Sequence, residues 1–218
     1  AFLFRIKNMF ERNKNRCNII AWSLGRNCGE GDNLIKASTW LKEQNKTALV
    51  CIDDEGSSFG DIILGPAKTA FSNYGKPYLI QPMASAFGNA LGDLEPLWQR
   101  TLSAPSVMGG FIDSWNEQSL VRLNQRNASY YAYGGEYGEP SDSFLCVRGL
   151  MSSDFKAGPC FNGFKNAFKP FLIKAIDLEK GVFEISNLLQ FKIADNYHLF
   201  YTVEEEGRVR KEAKIEDY

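Results

Sequence analysis

Trp22-Ser23-Leu24-Gly25-Arg26-Asn27-Cys28-Gly29-Glu30-Gly31-Asp32-Asn33 is the stretch whose reading decides the fold. It joins a short apolar run, Asn18–Leu24, to a segment of helical period over Asn33–Gln44, where Leu34, Ile35, Trp40 and Leu41 share a face. Apolar run, glycine-rich turn and amphipathic helix in that order read as strand, loop and helix. The glycines from Gly25 to Gly31 do not make a phosphate loop, because the lysine and the glycine spacing of that device are missing.

The same alternation continues in both directions. Residues 2–16 carry Phe2, Leu3, Ile6, Met9 and Phe10 at a helical period. Thr47–Ile52, Asp61–Leu64, Tyr78–Ile80 and Val107–Ile112 read as further strands, with a helix near Leu94–Leu102. Gly109 and Gly110 predict tight packing or close backbone approach in the last of these strands. Strands alternating with helices predict a parallel sheet of about five strands. From residue 125 the texture turns to a Tyr/Gly/Ser/Pro-rich loop, Tyr130–Gly138, followed by a short helix over Phe161–Phe168. Period-two alternation then appears in Leu172–Ile176, Val182–Ile185 and His198–Val203, which predicts antiparallel sheet. The boundary falls at Lys169-Pro170, dividing the chain into 1–168 and 169–218. The charged stretch from Val203 to Tyr218 is expected to be a solvated strand end or tail.

Composition narrows the function classes. With 44% hydrophobic residues and 16 Phe, the chain has enough apolar volume for a substantial core. A net charge of −1 gives no electrostatic reason to expect nucleic acid or anionic lipid, and no run is long and apolar enough for a transmembrane helix. The chain begins without Met or a recognisable signal, which suggests a processed or incomplete product. Cys17, Cys28, Cys51, Cys146 and Cys160 are dispersed and odd in number. That pattern suits buried free thiols in a reducing, intracellular setting, in which the sequons at Asn45 and Asn127 carry no meaning. His198 is the only histidine and is expected to be a packing residue, so no zinc site is anticipated.

Four ordered stretches resemble the β-galactosidases of glycoside hydrolase family two. Glu11–Arg16 leading into Ile20–Gly25 and on to Asn33 is similar to E-R-D-R-N-H-P-S-V-I-x-W-S-L-G-N-E-S-G-x-G-x-N. Pro77–Gly92 is similar to P-L-I-L-C-E-Y-A-H-A-M-G-N-S-x-G, and Gly109–Leu120 to G-G-F-V-W-D-W-V-D-Q-S-L. Tyr133–Gly138 with Arg148-Gly149-Leu150 resembles Y-G-G-D-F-G…N-G-L. The resemblance implies an α/β fold: the second half of a (β/α)8 TIM barrel, from about its third helix onward, followed by an antiparallel β-sandwich segment. Half a barrel leaves an open sheet edge and core face, so either another polypeptide covers them or the covalent chain is longer than this sequence.

The resemblance also implies where the chemistry should sit. A retaining glycosidase needs two carboxyl groups roughly 5–5.5 Å apart. The acid/base position is Asn27, whose amide has no proton to donate. The nucleophile position is Pro82, which has no nucleophilic atom. The family's substrate-contacting tyrosine falls at Ala67, its A-H-A-M-G-N histidine at Ser85, the stacking tryptophan at Asp113, and the phenylalanine after N-G-L-V at Ser152. Trp115, Gly88, Asn89 and Gln118 persist. No catalytic residue, cofactor or metal ligand carries over, since the family's magnesium site uses that same acid glutamate.

Glu30, Asp32, Asp53, Asp54, Glu55, Asp113 and Glu117 lie near predicted strand ends and are expected to be solvated loop carboxylates rather than a new catalytic pair. The Tyr130–Tyr137 run is expected to pack between barrel and sandwich rather than to stack on a sugar. The expectation is therefore a pseudoenzyme serving as a structural subunit, with other protein subunits covering the incomplete barrel. Two alternatives stand beside it: one piece of a split glycosidase, and a carbohydrate-binding module without hydrolysis.

Overall fold

The computed structural model describes residues 1–26, 28–29, 31–53, 57, 59–87, 91–141 and 145–215. They form two compact units, Ala1–Phe168 and Lys169–Tyr218.

The first unit is built on five parallel strands in sequential order: β1 (Ala21–Ser23), β2 (Leu49–Ile52), β3 (Ile62–Gly65), β4 (Tyr78–Ala84) and β5 (Val107–Ile112). This is half of a TIM-type barrel, and among the described residues β1 and β5 each pair on one side only. α1 (Phe2–Asn13) precedes the sheet, α2 (Asp32–Gln44) joins β1 to β2, and α3 (Leu94–Ser103) joins β4 to β5. Among the described residues, no α-helix lies between β2 and β3 or between β3 and β4. None of the described helices is long and apolar enough to cross a membrane.

Alternation along the strands divides the core in two. Trp22, Val50 and Ile52 point to the face covered by α1 and α2, where they meet Ile6, Phe10, Leu34, Ala37 and Leu41. The next residue on each strand belongs to the other face: Cys51, Ile62 and Leu64 cluster there with Ala21 and Leu79. That is the period-two geometry of a sheet buried on both sides. α2 buries Leu34, Ala37, Ser38 and Leu41, a spacing of three, four and seven. Ile35 sits one position off that stripe and is exposed, contrary to the face read from sequence. Its first turn carries Asp32, a carboxylate favoured by the dipole at a helix start. In α3, Pro96 occupies the first turn, where a missing N–H costs nothing.

Beyond β5 the chain departs from the predicted loop. β6 (Leu120–Leu123) and β7 (Ser129–Ala132) form an antiparallel hairpin that takes in Tyr130 and Tyr131. Asn124 closes it, its Oδ1 accepting the N–H groups of Arg126 and Ala128, while Asn127 adopts a left-handed φ of 57°. The short helix α4 (Phe161–Ala167) then packs by α3, with Phe164 and Phe168 around Trp98.

In the second unit, β8 (Phe171–Asp177) pairs antiparallel with β9 (Val182–Asn187), and β10 (Leu199–Glu205) with β11 (Arg208–Ile215). Of the expected solvated strand end or tail, the structure shows a strand, β11, most of whose residues are exposed. Glu206 and Gly207 both have positive φ, 50° and 73°, the two-residue turn that matches strand twist. The turn lets the charged run fold back onto β10 as a full strand. His198, just before β10, is exposed and so is not a core residue. None of the five cysteines is in a disulfide, and of them Cys51 and Cys160 are buried.

Candidate functional site

The C-terminal ends of β4 and β5 carry the positions where the sequence places the chemistry. Their ladder is irregular there. Ile80 pairs with Gly110 and Ala84 with Ile112, so Gln81, Pro82 and Met83 stand against the single residue Phe111. Proline cannot donate to a ladder, which accounts for the break at its position. Pro82 is half-buried, and Met83 turns into the core beside Ile80. Gly110 allows the approach: a Cβ there would lie 2.9 Å from the Ile80 carbonyl oxygen and from Met83 Cε.

Just past the strands, Asp113 and Ser85 come together. Ser85 Oγ donates to Asp113 Oδ2 at 3.1 Å, and Arg148 Nη1 lies 3.0 Å from the same oxygen. The Asp113 side chain is only 10% exposed, and its N–H donates to the Ala84 carbonyl at 3.0 Å. Asp113 is thus no solvated loop carboxylate, which corrects the expectation for this position. A carboxylate is tolerated there because a guanidinium and a hydroxyl replace the water it loses.

Arg148 is held in place by main chain. Its neighbours run beside residues 114–118, with Leu150 N–H donating to Ser114 O, Met151 N–H to Trp115 O, Glu117 N–H to Met151 O and Gln118 N–H to Cys146 O. Leu150 is fully buried with Ala86 and Cys160. Trp115, by contrast, is about half exposed and makes edge contacts with Phe161 and Phe164. Burial pushes the Glu117 carboxyl above its ordinary value.

Ser152 opens a tight turn rather than facing a ligand. Asp154 accepts from Ser152 Oγ at 2.5 Å, pairs with Lys156 at 2.7 Å and takes the Tyr131 hydroxyl. Lys156 first, then Ser152 and Tyr131, hold its carboxyl well below the usual range. The lowered native value means the turn is stabilised above the ordinary Asp value of about 3.9. That contribution fades as the pH falls through the lowered native value. Carboxyl NMR titration should show Asp154 still ionised at pH 3, and a midpoint in the ordinary Asp range would refute this.

The remaining positions scatter. Ala67 lies in the turn after β3 and packs against the cluster around α3. Asp32 belongs to the first turn of α2, and Asp53 follows β2. Asn27, Glu30, Asp54, Glu55, Gly88 and Asn89 lie outside the described residues. Among the described residues, no three His, Cys, Asp or Glu side chains gather in a metal-binding arrangement. Two concavities are lined by other residues. One of about 470 Å³ is lined by Lys42, Asp61 and Lys76 where β3 and β4 begin, and one of about 520 Å³ lies along β8 and β9, bordered by His198.

Arg148 is the site residue that sequence reading passed over. Its signal was a cation gained at the asparagine of N-G-L while an anion was gained at Asp113.

Comparison with known proteins agrees with this architecture. Residues 1–173 match the family model for the TIM barrel domain of glycosyl hydrolases family 2. A β-galactosidase of Priestia megaterium (strain DSM 319 / IMG 1521) is 33% identical over 98% of this chain, and one from Yersinia enterocolitica serotype O:8 is 28% identical over 95%. The chain spans about a fifth of the length of these relatives, 22% in each case. Among solved structures, a GH2 β-galacturonidase from Eisenbergiella tayi covers 77% of the chain at a TM-score of 0.51 and 10% identity, matching 36% of its own length. The half-barrel, the ordered stretches along it and these matches together place the chain in glycosyl hydrolase family 2, in its TIM barrel domain.

Proposed function

We propose that this chain is a β-galactosidase-like polypeptide that does not cleave glycosides and serves as a structural or accessory subunit of a larger assembly. The observation that carries the reading is Pro82. It occupies the family's nucleophile position at the broken end of the β4–β5 ladder, and it offers no atom that can attack an anomeric carbon. Asn27 at the acid/base position supports it from the sequence, since an amide cannot protonate a leaving oxygen. The role in an assembly draws on the sheet edges: among the described residues β1 and β5 each pair on one side only, and an unpaired strand edge is a surface to which further polypeptide can add.

The test is turnover of a chromogenic β-galactoside by the native assembly purified from its source. The expected rate equals that of buffer. Hydrolysis that co-purifies with the chain would sink the reading in favour of a split glycosidase. Recovery of the chain as a well-folded monomer without partners would remove the subunit role.

A further inference from the structure

We propose that Asp113 and Arg148 form an internal clasp that fills the sugar slot of the ancestral site, so that the strand ends are closed by the chain's own charges instead of by a ligand. The proposal rests on the reading of a chain that does not hydrolyse glycosides, and adds what became of its pocket.

Two positions matching residues of the family's site, Ser85 and Asp113, do not face an empty space. Ser85, Asp113 and Arg148 converge on one oxygen, Asp113 Oδ2, at 3.1 and 3.0 Å. They come from three separate segments: the end of β4, the end of β5, and the segment beside residues 114–118. In a sugar-binding site, hydroxyl groups of the ligand would bridge such segments. Here an ion pair does so, with Asp113 nearly buried and Arg148 one-third exposed. The exchange is self-consistent. An aspartate at position 113 alone would leave a desolvated charge, and an arginine at 148 alone would leave a second. Together they satisfy each other, and Ser85 takes the remaining approach. The main-chain hydrogen bonds of Cys146, Leu150 and Met151 with residues 114–118 fix the backbone on either side of Arg148, and so the point from which its side chain reaches Asp113. A neutral sugar entering this slot would have to separate a partly buried ion pair, for which its hydroxyls give no equal return.

A thermal double-mutant cycle on the full chain tests this, with Asp113→Asn, Arg148→Met and the double variant. Each single change should lower the midpoint by about 5 °C, because it strands a poorly solvated partner. The double variant should fall no further than the worse single. Additive losses, or single variants that melt with the wild type, would overturn the clasp. If Asp113→Asn does not fold, Ser85→Ala with Arg148→Met gives a second cycle on the same oxygen, in which additive losses or none again overturn it. Calorimetry with galactose provides an independent arm. The wild type should give no saturable heat, and saturable heat abolished by Arg148→Met would show that Arg148 is a ligand contact instead. Galactoside turnover tests whether the chain is inactive, while the cycle tests the clasp whichever way turnover falls.

Discussion

Gly149→Ala is expected to destabilise the first unit by about 4 kcal/mol, among the largest effects of any single substitution in this chain. A Cβ at position 149 would overlap Glu117 N and the Asn116 carbonyl carbon and lie 2.8 Å from Met151 O. All three are backbone atoms, so no side chain can rotate away to make room. The two segments would have to separate, which strains or breaks Glu117 N–H to Met151 O and Met151 N–H to Trp115 O. Each buried group left unpaired adds roughly 1–3 kcal/mol. Leu150, fully buried one residue later, would be drawn out of its cluster. Chemical denaturation read by tryptophan fluorescence measures the change. A loss below about 1 kcal/mol would mean that the segments are not held as described.

Reinstating both carboxylates, Asn27→Glu with Pro82→Glu, is expected to leave galactoside hydrolysis at the rate of buffer. Glycosidases accelerate their reaction by about 10⁶-fold or more, so the assay has ample range to register even a partial recovery. Two obstacles remain after the substitution. Position 82 lies where three β4 residues oppose one β5 residue, so a glutamate there has no assurance of the roughly 5–5.5 Å spacing that a retaining pair needs. Just past the ends of β4 and β5, Asp113 is already engaged by Arg148 and Ser85. Turnover well above buffer from the double variant would show that the pocket is open and that only the carboxylates were lost.

Much of the first unit was legible in the sequence because its strands are short apolar runs punctuated by glycine and proline. β1 to β5 appear where the runs predicted them, with ends shifted by a few residues, and α2 and α3 follow their periodicity. The hairpin β6–β7 was hidden because Tyr130 and Tyr131 sit among glycines and serines that read as loop. Its register comes from pairing Val121 with Tyr131 and from the Asn124 turn, a contact between segments that local pattern does not encode. β11 was hidden by charge. A strand exposed on its faces need not alternate in hydropathy, and the Glu206-Gly207 turn was the only local signal.

The same division runs through the site. The sequence by itself determined the family resemblance, the order of β1 to β5 and the absence of carboxylates at positions 27 and 82, because these are legible in residue identity and local pattern. Only the tertiary structure decided what Asp113 and Arg148 do. They are 35 positions apart in sequence, and a charge far from its partner along the chain looks like any surface charge. Burial and a 3.0 Å contact turn the two into one neutral unit, because a carboxylate withdrawn from water persists only where another group replaces its hydration.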